Sequence, residues 1–200
     1  MTASKPSRLR LSYNAPVVLT FAFLCVAAQF LSMITGGSSN RVFSAGRSLM
    51  GANPLTWYHL FLHVLGHAGW GHLFGNMMLF LVLGPMIEEK YGSANTLFVI
   101  LATALVTGLV YVIFFPDVRI LGASGVVFAF IILSSITGFR EHTIPLTFIL
   151  VAAMYIGQQI WMAVAQENQV AELAHIAGGA VGGCLGFVMK KNRMDRYAAK

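Results

Sequence analysis

Charge is what this sequence has least of. Only 10% of its 200 residues are Asp, Glu, Lys or Arg, against about 25% in a soluble domain. With 57% hydrophobic residues and a mean hydropathy of +0.73, it carries more apolar surface than a soluble core could hide. A water-soluble globular enzyme is excluded. Cysteine is scarce too. Cys25 and Cys184 both lie inside apolar runs, so neither a disulfide framework nor a thiolate metal site is indicated. There is no low-complexity tract, no obvious repeat between the halves, no lipidation motif and no visible second, soluble domain. The net charge of +6 does not point to nucleic acid, because the basic residues gather at Lys5, Arg8 and Arg10 and again from Lys190 to Lys200. Those clusters flank apolar runs, as they do at the cytoplasmic ends of membrane proteins.

What is present in quantity is apolar sequence in lengths that suit a bilayer. A spanning helix needs about 20 apolar residues and a spanning strand only about 9–11. Six stretches qualify as helices: Ala15–Ile34, Trp70–Ile87, Ser93–Phe115, Gly122–Gly138, Ile144–Ala165 and Leu173–Met189. The first exceeds the core of about 7–15 residues typical of a secretory signal and reads as a true span. With both termini inside, ten Lys and Arg fall on the inner side and three, Arg41, Arg47 and Arg119, on the outer. The termini are therefore expected in the cytoplasm. The expected fold is an all-α membrane bundle of six helices.

One connection is long. Residues 35–69 form the first outer loop, rich in Gly and Ser at first and apolar and aromatic from Leu55 to Leu65. The second part is expected to lie in the membrane interface, with Trp57 and Tyr58 as anchors.

Polar residues inside spans are costly and mark functional sites by default. His72 and Asn76 in span 2, His175 in span 6 and Ser124 in span 4 are the candidates. Counted from Glu88, Lys190 and Arg140, His72, His175 and Ser124 lie about 22–24 Å from the inner ends of their helices at 1.5 Å per residue. Three helices thus place their unusual residues in one layer. Serine needs a base within reach to become a nucleophile, and His175 can supply one. His72 and Asn76 are four apart and share a helix face, where their N–H groups could receive an oxyanion. The free amides at the start of span 4 add to that field. Gly122 and Gly125 around Ser124 let a substrate backbone approach. Gly178, Gly179 and Gly182 share the face of His175 and allow close helix contact. Glu172 could face His175, but a Ser–His dyad is favoured over a triad.

Each residue alone has a plainer reading. Ser124 and Asn76 could be packing or interhelical glue, and His175 a hydrogen-bonded core residue. His59, His63 and His67, spaced four apart ahead of His72, could hold a metal or haem. They sit in an outer amphipathic segment without neighbouring thiols or carboxylates, so that reading ranks low. A transporter ranks last, since spans 1, 3 and 5 carry no charge and no inverted repeat shows.

Together, "GASG" at Gly122–Gly125, "HLFGN" at His72–Asn76 and "AHIAGG" at Ala174–Gly179 resemble the rhomboid family of intramembrane serine proteases. The resemblance runs from Ala15 to Met189 and implies a rhomboid-type six-span catalytic domain over 15–189, between tails at 1–14 and 190–200. It implies Ser124 as nucleophile, His175 as base, and His72, Asn76 and the Ser124 N–H as oxyanion hole. Glu88 matches a structural glutamate, and residues 161–170 match part of a substrate gate and cap. The implied substrates are single-span or other membrane proteins met in the lipid bilayer, with no cofactor, no metal and no nucleic acid. The minimal six-span form implies a bacterial inner membrane and a site open to its outer side. The alternative within the family is an inactive relative that binds membrane proteins without cutting them. Two departures stand out. Trp57-Tyr58 replaces the family's Trp-Arg. Phe128 replaces a tyrosine, keeping the aromatic face and losing the hydroxyl, and activity is expected to survive.

Overall fold

In the computed structural model the chain is described over residues 12–51, 54–138, 146, 149–150, 153–154, 157, 176–186 and 188–189. Within these, the regular structure is helical: α1 Pro16–Ile34, α2 His59–Leu62, α3 Trp70–Tyr91, α4 Ser93–Phe114 and α5 Ser124–Gly138, then α6 Ile176–Gly186. Helices α1, α3 and α4 are long and apolar enough to cross a membrane, while α5 and α6 are shorter apolar helices. The expected span 4 starts two residues later than the sequence suggested, because Gly122 and Ala123 belong to the turn before Ser124. Span 2 runs on to Tyr91. Most of the expected span Ile144–Ala165 lies outside the described residues.

Helix α1 begins with Pro16 at its first position, where a missing N–H costs nothing. Its own N-cap, Ala15, offers no side chain to cap it. Glu88 does so from the far end of α3. Its Oε1 accepts from the Val17 N–H and its Oε2 from the Val18 N–H, each at 3.0 Å. Two helix-end amides and a buried carboxylate satisfy one another. Just above, Gly84 lets α1 close on α3, and a Cβ there would meet the Val18 methyls at 2.8 Å. Phe21 then packs on Phe80 at 4.9 Å between ring centroids, and Phe80 stacks on Phe130 of α5 at 5.1 Å. These rings sit in a core that joins α1, α3, α4 and α5.

Helices α3 and α4 are joined by one residue, Gly92, at φ +84°. Only glycine takes that backbone readily, so the reversal needs no further loop. Asn95 Nδ2 closes it by donating to the Tyr91 carbonyl at 2.8 Å.

The long first loop is ordered rather than slack. It forms short 3₁₀ turns at Ser38–Arg41, Arg47–Leu49 and Pro54–Tyr58 before α2. Trp57 and Tyr58 are exposed, as anchors would be, whereas His59, His63 and His67 are all buried, the last two at 1% exposure. The segment is two-faced, with its aromatic anchors outward and its histidines inward. Their spacing of four marks a face turned into the protein. A Cβ at Gly108 would lie 3.2 Å from the Leu60 backbone, so α2 rests directly on α4.

Candidate active site

Ser124 opens α5, half-buried, directly after a turn that the first loop holds from one side. Ala45 and Ile120 exchange backbone hydrogen bonds of 2.9 and 2.8 Å in an isolated antiparallel bridge. Two residues on, the Gly122 N–H donates to the His63 carbonyl at 2.9 Å. Gly122 has φ +135°, a conformation that side chains resist. Space excludes a side chain as well: a Cβ there would lie 2.8 Å from His72 Cε1, 3.1 Å from His72 Nε2 and 3.9 Å from Ser124 Oγ. Glycine is what allows the imidazole and the hydroxyl to share one corner.

The tautomer of His72 follows from its other nitrogen. Nδ1 accepts a long 3.4 Å hydrogen bond from the Ala68 N–H, which leaves the proton on Nε2, the nitrogen that faces Gly122. His67 stands edge-on to this ring at 5.0 Å and donates from Nδ1 to the Leu65 carbonyl at 3.1 Å. One turn further along α3, Asn76 is buried, and its Nδ2 finds no acceptor among the described residues. Orphaned donors of this kind are rare in folded proteins and call for an explanation.

Helix α6 reaches α5 through its glycines. A Cβ at Gly178 would collide with the Gly125 carbonyl, and one at Gly182 with the Ala129 carbonyl. At Gly179 a Cβ would run into the Phe128 ring. Backbone therefore meets backbone over the first turn and a half of α5. Phe128 is buried in this seam.

Of the residues singled out in the sequence, Ser124, Gly122 and His72 converge on one corner. Asn76 follows on the His72 face of α3. Gly125, Phe128, Gly178 and Gly182 form the seam beside that corner. Glu88 lies sixteen residues from His72, about 24 Å away along the helix, and acts on α1. His175, Glu172 and residues 161–170 lie outside the described residues. No group of three or more His, Cys, Asp or Glu side chains among the described residues could hold a metal ion. The sequence reading missed His63, whose carbonyl holds Gly122. Its i, i+4 spacing from His59 and His67 was the available signal.

A family description, "Rhomboid domain", matches residues 54–192. The chain belongs to the rhomboid family. Over 140 residues it is 33% identical to "Rhomboid-related protein 2" of Mus musculus, covering 64% of this chain and 46% of that protein. Over 117 residues it is 32% identical to "Rhomboid protease GluP" of Bacillus subtilis (strain 168), covering 54% of this chain and 23% of that protein. The matches span less than half the length of either relative. Membership of this family, together with the apolar helices, makes the chain a membrane protein.

Proposed function

We propose that this rhomboid is an intramembrane serine endopeptidase that cuts other membrane proteins near or within their spans. The observation that carries the reading is the corner at Gly122. There Nε2 of His72 and the hydroxyl of Ser124 both border the space beside one glycine, and the Asn76 amide, on the His72 face of α3, has no acceptor among the described residues. The Bacillus subtilis relative, named a rhomboid protease, supports the same class.

In this reading Ser124 Oγ attacks the scissile carbonyl and its proton passes to His175. His175 stands three residues before Gly178 in the sequence, and Gly178 touches Gly125, the neighbour of Ser124. The oxyanion is received by His72 Nε2–H, Asn76 Nδ2–H and the Ser124 N–H, donors fixed before charge develops. Protonated His175 gives its proton to the leaving amine as the C–N bond breaks. Water then attacks the acyl-serine, again with His175 as base, and releases the acid and the free Ser124 hydroxyl.

Helix α5 spans 15 residues, about 22 Å, against a hydrocarbon core of about 30 Å. Its starting serine therefore lies below a membrane surface. A substrate helix must unwind to present an extended backbone there, so small or helix-breaking residues near the cut lower the cost. In this reading both termini lie in the cytoplasm and the site opens toward the outer side, a topology that the charge balance of the loops supports. A bacterial inner membrane fits the minimal form.

The test is cleavage of a single-span reporter in liposomes by wild type, Ser124→Ala and His175→Ala. Wild-type cleavage lost in both folded variants is the expected result. Equal cleavage by Ser124→Ala would remove Ser124 as nucleophile. Failure of wild type both to cleave and to react with a fluorophosphonate would instead favour a binding protein of the same fold.

A further inference from the structure

The Gly122 turn is held by a carbonyl, and a carbonyl is only as fixed as the residue that bears it. That residue, His63, follows α2, which is four residues long and far too short to hold itself. What fastens it is its own side chain. Nε2 donates to the Ala104 carbonyl of α4 at 3.0 Å, with Thr107 Oγ1 at 3.4 Å. The Thr107 hydroxyl is itself fixed, donating to the Thr103 carbonyl at 2.7 Å. The ring is fully buried, and burial pushes its pKa down to about 4, so it stays a neutral donor. Gly108, one residue past Thr107, brings the Leu60 backbone close enough to set the depth of the ring.

One residue thus joins two structures. Its imidazole is seated in the span α4, and its carbonyl holds the amide of the residue that backs His72 and leads into Ser124. The ties of Ala45 with Ile120 and of Ser48 with Arg119 stop two and three residues short of Gly122.

We propose that His63 is a positioning residue for the reaction at Ser124, acting through Gly122. It touches no reacting atom. Without its anchor on α4 the loop still covers the bundle, but the Gly122 amide loses a fixed acceptor and the turn wanders. Misplacement of reacting groups by about 1 Å can cost about a hundredfold in rate. The proposal rests on Ser124 being the nucleophile.

The test compares wild type with His63→Leu and His63→Gln in detergent, well below their unfolding midpoints. Glutamine places an amide N–H where the imidazole places Nε2–H. Two quantities are read: fluorophosphonate labelling of Ser124 over a range of reagent concentrations, and amide exchange of the segment containing Gly122. In His63→Leu the limiting labelling rate is expected to fall roughly ten- to a hundredfold. Half-saturation should be little changed, and exchange at Gly122 should be faster. Glutamine should recover most of both. Labelling of His63→Leu at the wild-type rate would overturn the proposal, as would slower labelling with unchanged Gly122 exchange or equal loss in the glutamine variant. If wild type itself does not label, the nucleophile reading fails separately. Exchange then decides the anchor alone: faster in leucine and not in glutamine keeps it, and unchanged exchange removes it.

Discussion

At one end of α3, Glu88 gives both carboxylate oxygens to the amides of Val17 and Val18. Toward the other, Asn76 keeps a side-chain N–H without an acceptor among the described residues, and His67, just ahead of the helix, keeps a buried Nε2 acceptor with no donor among them. The packing differs in the same sense. Gly84 is filled by Val18 from the neighbouring helix, whereas Gly122 makes room for the His72 ring beside the Ser124 hydroxyl. The helix therefore carries a saturated end that holds the bundle together and, toward its start, an Asn76 donor that has no acceptor among the described residues. Buried donors left unpaired weaken a fold by about 1–3 kcal/mol each, and such a cost persists where a reaction uses the group.

The contrast predicts that stability and activity separate along α3. Replacing Asn76 by alanine should lower turnover by about 100- to 1,000-fold, as loss of an oxyanion donor does, and leave the unfolding midpoint unchanged or higher. Reporter cleavage and thermal unfolding of the same preparation would read both. A folded variant with near-normal turnover would break the comparison. Glu88→Ala should do the reverse. Two orphaned amides at the start of α1 should cost about 2–6 kcal/mol, while turnover per folded molecule, measured well below the midpoint, should hold.

The α5–α6 seam should couple the two properties. Valine at Gly178 must push the Gly125 backbone away, at an overpacking cost of about 1–3 kcal/mol. Labelling of Ser124 should slow in the same variant, because the seam adjoins that residue.

Acid should act on the loop histidines. Burial lowers His63 to about 4 against a small opposing effect of its bond to Ala104. It lowers His67 to about 4 as well, with repulsion from His72 adding and the Leu65 carbonyl opposing. Both lie below the ordinary 6.5, so the unfolded chain binds more protons between those values. Their contribution is complete above pH 6.5 and is lost as pH falls toward 4. Unfolding midpoints taken across that window should drop, and His63→Gln should flatten part of the drop. A midpoint that rises on acidification would reverse the sign of the effect. The smallest expected change is Phe128→Tyr. It adds a hydroxyl at the edge of a seam already filled by the ring, and cleavage should stay within about threefold, under 1 kcal/mol in barrier.

The sequence made the membrane helices legible because hydropathy over twenty residues has few other causes. It made Ser124, His72 and Asn76 legible because polar groups stand out in such runs, and helix rise alone set Ser124 and His72 at one depth. Two things escaped it. The burial of His59, His63 and His67 did, since a spacing of four marks one face without saying whether that face meets lipid, water or protein. So did the tie from His63 to Gly122. It runs through a backbone carbonyl that every residue possesses, and no side-chain pattern records which carbonyl meets which amide sixty residues away. The bridge of Ala45 with Ile120 was hidden for the same reason.

The grip of Glu88 on α1 spans 71 positions of sequence. Ribosomes make the chain in order, so α1 is complete long before its cap exists. Until α3 has been synthesised and inserted, the amides of Val17 and Val18 have no carboxylate to meet. Glu88 is thus a latch that closes late, and it joins the first helix to the bundle only after the segment bearing His72 and Asn76 has taken its place.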